Sequence, residues 1–177
     1  MQCKKQILTE RYHSPLGDLI LGTYDEQLCL CDWQDAKHRM QIDRRLYQAL
    51  KAEIKEGKSQ TIIETIKQLD EYFSAKRQTF SLSLLLPGTA LQQQVWNALL
   101  TIPFGQTISY KEIAQRIRKP RATRAVANAI GANALSIIIP CHRVIGSQHS
   151  LTGYAGGIER KKELIEWEVG VPLHEYK

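Results

Sequence analysis

No run of apolar residues approaches the ~20 needed to cross a bilayer, so the sequence holds no candidate membrane-spanning helix. The opening residues, Met1-Gln2-Cys3-Lys4-Lys5-Gln6, lead into no apolar stretch of the kind a secretory leader carries. Cysteine is scarce: Cys3, Cys29, Cys31 and Cys141 form neither a CxxC pair nor zinc-ribbon spacing. That argues against a disulfide framework and against a metal site, and neither metal nor cofactor is expected. Cys29 and Cys31 alternate within an apparent strand, a pattern of core packing. The setting expected is reducing and cytoplasmic. The first half gathers no nucleophiles, ligands or phosphate-cradling glycines and reads as a scaffold.

What is present is an ordinary globular balance, 43% hydrophobic and 24% charged, with an uneven distribution of charge. The net charge is +6. Residues 1–88 carry 13 Lys/Arg against 12 Asp/Glu, whereas residues 89–177 carry 11 against 6. Six basic residues and one acid lie between Lys111 and Arg124. So local a cluster suits a phosphate-bearing partner, with a solvated helix face as the plainer reading.

Hydrophobic periodicity gives an α/β (α+β) chain. Strands over Ile7–Tyr12, Leu19–Leu21 and Leu28–Cys31 are separated by turn signals at Ser14-Pro15-Leu16-Gly17 and Asp25-Glu26. Residues 37–55 have the spacing of an amphipathic helix, with Met40, Ile42, Leu46, Ala49 and Leu50 on one face. A second helix follows from Ile62 to Phe73, then a strand from Thr79 to Leu86. Pro87-Gly88 marks the best boundary, giving a mixed sheet-and-helix scaffold domain over 1–88 and a second domain over 89–177.

The second domain begins with a helix over Leu91–Leu100. Ser109-Tyr110-Lys111-Glu112 is a capping box that starts another, and a third is expected over Arg121–Ile130 after Lys119-Pro120. Two short basic helices joined by a turn outline a winged-helix-like helix-turn-helix domain. On a helical wheel Ala122, Ala125, Val126 and Ala129 share the packing side, while Arg121, Arg124 and Asn128 share the opposite one. Asn133 points toward the packed side, where its amide either orients a neighbour or ends the helix as a cap.

Ile137-Ile138-Ile139 reads as a buried strand, stopped by Pro140, with Cys141-His142-Arg143 directly after it. A thiol after an apolar run is most often only a small buried hydrophobe. A thiol, an imidazole and a guanidinium at the end of a rigid element also suit an active site. A loop at Gly153-Tyr154-Ala155-Gly156-Gly157 and a last helix over Ile158–Val169, bearing Glu163, Glu166 and Glu168, complete the chain.

These residues resemble the O6-alkylguanine-DNA alkyltransferases, or methylated-DNA–protein-cysteine methyltransferases, of the bacterial stand-alone type. Pro140-Cys141-His142-Arg143-Val144 matches the family's active-site signature. Ser109-Tyr110, Arg124-Ala125-Val126, Gly153-Tyr154, Gly156-Gly157 and Glu168 fall at its spacing, over residues 91–170. The chain departs from the family at Ala127 and Val169, where Gly is usual, and at Ala134, where Pro is usual.

The resemblance implies direct DNA repair by an irreversible, single-turnover transfer. An alkyl group passes from O6-alkylguanine in double-stranded DNA to Cys141, after the base is flipped out through the minor groove; O4-alkylthymine stays open as a second substrate. Cys141 would attack as thiolate, with His142 its base through a water and Glu168 fixing the imidazole tautomer. Neighbours along an extended chain point to opposite faces, hence the water. Asn133 would orient Tyr110 and the thiol, and Tyr110 would donate to the leaving base. Arg124 would fill the vacated stack, with Arg121, Asn128 and Arg143 as further DNA contacts; Tyr154 and Ala155 would line the base pocket. A monomer that binds no membrane is expected. The alternatives are a binding-only protein that flags lesions, in which the Cys is replaced, a methylation-sensing regulator with an added Cys cluster, and a cysteine hydrolase.

Overall fold

The computed structural model describes residues 5–173, so Cys3 lies outside the described residues. The chain divides between Pro87 and Gly88 into two compact units.

The first unit is a four-stranded sheet backed by helices. Strands β1 (Gln6–Ser14), β2 (Gly17–Tyr24) and β3 (Gln27–Trp33) form an antiparallel meander, and β4 (Glu53–Glu56) adds in parallel to β1, giving the order β3-β2-β1-β4. The first turn is fixed by Ser14, whose hydroxyl donates to Gly17 O at 2.6 Å and accepts from Leu16 N. The second puts Asp25 and Glu26 both at positive φ, the geometry that matches strand twist in a two-residue hairpin. Cys29 and Cys31 are fully buried, and burial pushes the Cys29 thiol up to about 12, as expected of packing residues.

Helix α1 (Arg39–Leu50) buries Ile42 and Leu46 but leaves Met40 80% exposed, and it ends five residues before the expected point. Lys51 turns left-handed (φ 48°), and the chain re-enters the sheet as β4. All four β4 residues are exposed, so backbone pairing to the open edge of β1 makes this strand and no side-chain pattern announces it. Helix α2 (Gln60–Phe73) starts at Ser59, whose side chain accepts from Ile62 N. The strand expected over Thr79–Leu86 reduces to one bridge, Leu28 to Leu84. The Gln68 side chain takes the place of a strand partner at Ser81, donating to its carbonyl and accepting from its N–H.

In the second unit, α3 (Ala90–Leu99) is opened by a Thr89/Gln92 capping box and tied to the later helices by Trp96 Nε1, which donates to Ala129 O at 2.9 Å. The expected Ser109/Glu112 box opens α4 (Tyr110–Arg116), directly after β5 (Ile108–Ser109). Helix α5 (Thr123–Gly131) starts two residues later than expected, so Arg121 sits in the preceding turn; Val126, Ala129 and Ile130 are its buried side. After one turn of 3₁₀ helix at Cys141–Arg143, β6 (Val144–Ile145) pairs in parallel with β5, and α6 (Ile158–Glu168) follows.

The isoleucine run is a correction. Ile137, Ile138 and Ile139 are buried as expected, yet they form no strand. The chain folds back on itself, with Ile138 N bonded to Ser136 O, Ile139 N to Leu135 O and Cys141 N to Ile139 O, all within 2.8 Å. Ile137 takes a φ of 70°, an unusual conformation for a β-branched residue. Burial alone does not make a strand. Here the backbone is satisfied by this loop and by Asn133, whose Nδ2 donates to Ile139 O (3.0 Å) and whose Oδ1 accepts from Leu135 N (2.9 Å).

Candidate active site

That loop delivers Cys141 with 6% of its surface exposed. The second hydrogen of Asn133 Nδ2 reaches its Sγ at 3.2 Å, so a single buried amide fixes both the loop and the thiol. Asn133 thus bonds directly to the thiol, and the helix cap falls at Ala132. Its donors go to Ile139 O and Cys141 Sγ, and among the described residues it makes no bond to Tyr110. The Tyr110 hydroxyl instead lies 2.9 Å from Thr152 O and 3.3 Å from Gly153 O.

Cys141, His142 and Arg143 form a helical turn rather than the extended segment expected. At three residues per turn their side chains diverge by about 120°, which lets His142 and Arg143 both reach α6. His142 is fully buried, with Nε2 2.7 Å from Glu168 Oε1. A carboxylate only accepts, so Nε2 carries the hydrogen and Nδ1 presents its lone pair. Nδ1 is buried and has no partner among the described residues. Burial lowers the imidazole pKa against the opposing pull of Glu168, which favours a neutral ring.

Arg143 is a second correction. Expected at the DNA surface, it is 6% exposed and spent internally: Nε donates to Glu168 Oε2 (2.8 Å), Nη2 to Oε1 (2.9 Å) and Nη1 to Ile102 O (2.6 Å). Gly105 N adds a fourth bond to the carboxylate at 3.2 Å. Burial works to raise the Glu168 carboxyl, but the bonds and charges of His142 and Arg143 outweigh it and hold the pKa well below the ordinary range. Val169, where the family has Gly, does not disturb this placement; Gly170, at φ 92°, supplies the left-handed residue one position later.

Lys161 is not among the residues singled out from the sequence. It is fully buried, its Nζ donates to Thr152 O at 2.8 Å and lies 5.7 Å from the Tyr110 ring centre. Burial brings its pKa down to about 8, with the nearby Cys141 charge acting in the other direction. Lys161 and Tyr110 thus converge on one carbonyl, just before the half-buried Tyr154 and Ala155. Helical periodicity across Ile158–Glu168, which puts Lys161 on the side of Leu164 and Glu168, is the signal that points to it.

Arg124 and Asn128 are exposed, opposite the packed side of α5, and Arg121 is exposed in the turn before it. Among the described residues no group of three His, Cys, Asp or Glu is placed to hold a metal, and no helix is long and apolar enough to cross a membrane.

The chain is similar to known proteins over nearly its whole length. The model of the 6-O-methylguanine DNA methyltransferase DNA-binding domain matches residues 90–170, and that of the ribonuclease-like domain matches residues 7–86. A methylated-DNA–protein-cysteine methyltransferase of Methanosarcina barkeri is 44% identical over 155 residues, 88% of this chain and 92% of that protein. The constitutive methylated-DNA–protein-cysteine methyltransferase of Bacillus subtilis is 39% identical, over 93% and 94% of the two chains. The crystal structure of Mycobacterium tuberculosis OGT in complex with DNA matches with a TM-score of 0.80 at 38% identity, over 96% of each chain. With both family domains matched and relatives covered over nine-tenths of their length, this chain belongs to the methylated-DNA–protein-cysteine methyltransferase family.

Proposed function

We propose that this chain repairs DNA directly, by moving the alkyl group from O6 of an alkylated guanine onto its own Cys141. The observation that carries the reading is the buried set Cys141, His142 and Glu168, in which Asn133 bonds to the thiol and His142 Nδ1 has no partner among the described residues.

His142 Nδ1 takes the thiol proton through a bridging water, and Glu168 holds the ring in the tautomer that allows it. The thiolate attacks the alkyl carbon. A C–S bond forms, the C–O bond breaks, and its electron pair goes to guanine, which is reprotonated as it leaves. Tyr110 donates toward that developing charge, and Lys161 adds a cation near the thiolate. The Tyr154 and Ala155 segment walls the base pocket. The target atom lies within the duplex, so the base is flipped out. Arg124 fills the gap from the exposed side of α5, and Arg121 and Asn128 hold the backbone at the minor groove. A thioether does not hydrolyse under mild conditions, so each molecule acts once, as a cytoplasmic monomer.

The test is duplex DNA carrying a labelled O6-methyl group. Label should appear on the Cys141 peptide at one equivalent per protein, and Cys141→Ala should take none. Label retained by C141A, or repeated turnover by the intact protein, would refute the assignment. The lesion-flagging alternative is disfavoured because Cys141 is present and held by a hydrogen bond to its sulfur.

A further inference from the structure

A buried carboxylate 2.7 Å from a buried imidazole should draw a proton onto the ring, since the attraction is strong where water is excluded. A protonated ring cannot act as a base. Charge counting around His142 shows what prevents this. The ionisable groups that face it are Glu168 and Lys161 from α6 and, from its own turn, Arg143 and Cys141; Tyr110 from α4 lies near Cys141. One carboxylate balances one cation. Arg143 cannot give up its proton, and it holds both carboxylate oxygens in a two-pronged bond. An imidazolium there would be a second buried cation on a single anion, with Lys161 as a third charge close by.

Resting on the proposed role of His142 as base, we infer that Arg143 is a positioning residue for alkyl transfer: it takes up the Glu168 charge, so that Glu168 orients His142 without protonating it. The geometry fits this division. Oε1 accepts from both His142 Nε2 and Arg143 Nη2, while Oε2 accepts from Arg143 Nε and Gly105 N. The remaining guanidinium nitrogen is anchored on Ile102 O, and the group lies 5.7 Å from the centre of the Phe104 ring. When the thiol gives its proton to Nδ1, the new imidazolium gains its own counter-charge in the thiolate, so the transfer creates no unbalanced charge. Arg143 thereby raises the threshold for protonating His142 until Cys141 supplies the anion.

The experiment is a pH titration of ¹⁵N-labelled histidine in the full chain, by NMR, for the wild type, Arg143→Gln and Arg143→Lys. Transfer from free O6-benzylguanine is measured beside it. The wild-type ring should be neutral at pH 7 with its hydrogen on Nε2. In R143Q the titration midpoint should rise by about one pH unit or more, and the transfer rate should fall several-fold at pH 6.5 and recover at higher pH. R143K keeps the cation without the fork, and its midpoint should stay close to that of the wild type. An imidazolium in the wild type at pH 7 would overturn the inference without any variant. So would a folded R143Q whose midpoint is unmoved and whose only defect is a lower Tm. The ring titration is read without alkyl transfer, so failure of Cys141 to accept an alkyl group would count against the proposed function alone.

Discussion

Replacing Asn133 with Ala should destabilise the second unit by an amount the structure specifies. The Asn133 amide is 3% exposed and makes three bonds, to Ile139 O, Cys141 Sγ and Leu135 N. Ile139 O keeps a second bond from Cys141 N at 2.7 Å, so losing Asn133 there costs about 1 kcal/mol. Leu135 N–H is left buried without an acceptor among the described residues, at about 2 kcal/mol. The total of about 3 kcal/mol corresponds to a fall in Tm of about 6–12 °C for a chain of this size. Scanning calorimetry with a buffer-exposed control, such as Asn97→Ala, gives the comparison. Asn133→Asp separates the two jobs of the side chain: it keeps the acceptor for Leu135 N–H but places a carboxylate against the thiol, and should slow reaction with free O6-benzylguanine. A folded N133A with Tm within about 1 °C of wild type would refute the claim that this amide holds the loop.

Glu168→Gln should lower the alkyl-transfer rate by about 10²-fold or more, the range seen when a base loses its orienting partner; a loss under threefold in single-turnover kinetics would count against that role. Gly153→Ala should slow transfer from the free base as well as from duplex, because its φ is +59° and a Cβ would stand 3.2 Å from the Tyr110 hydroxyl. Arg124→Ala should instead lose repair of duplex much more than reaction with free O6-benzylguanine; equal losses would argue against the finger role. For Lys161, whose folded pKa is about 8 against an unfolded value of 10.5, the unfolded chain binds more protons between those values. Stability should therefore rise as pH increases from about 8 toward 10.5, and chemical denaturation of Lys161→Met should lack that component.

The α+β class and the family were legible because they rest on signals local in sequence. The hairpin turns and the capping box at Ser109 specify their own geometry, and the Pro140–Val144 signature marks the family. What could not be read was made by hydrogen-bond partners that periodicity does not report. Strand β4 exists because β1 has an open edge. The 79–86 segment is held at Ser81 by Gln68, 13 residues away in another element, so one bridge suffices where a ladder is expected. The Ile137–Ile139 run carries every local mark of a strand, yet Asn133 satisfies the backbone that a neighbouring strand would have served. In each case the hydrogen-bond partner decided the conformation.

The same reasoning explains why Arg143 and Lys161 were misread or missed. A basic residue in a basic domain is taken as a phosphate contact, since charged side chains are rarely fully buried. Both exceptions lie within reach of the thiol's chemistry, where burial of charge has a use. A turnover enzyme must reopen its centre to release product and reset its groups. A protein that accepts one alkyl group and stops has no such requirement. The base and carboxylate can then stay packed at α6, with charge balanced by two buried cations. On the proposed reading, the burial of Arg143 and Lys161 follows from single use: surroundings closed to all but the bridging water strengthen each electrostatic contact during the one transfer, and no later step requires more water to enter.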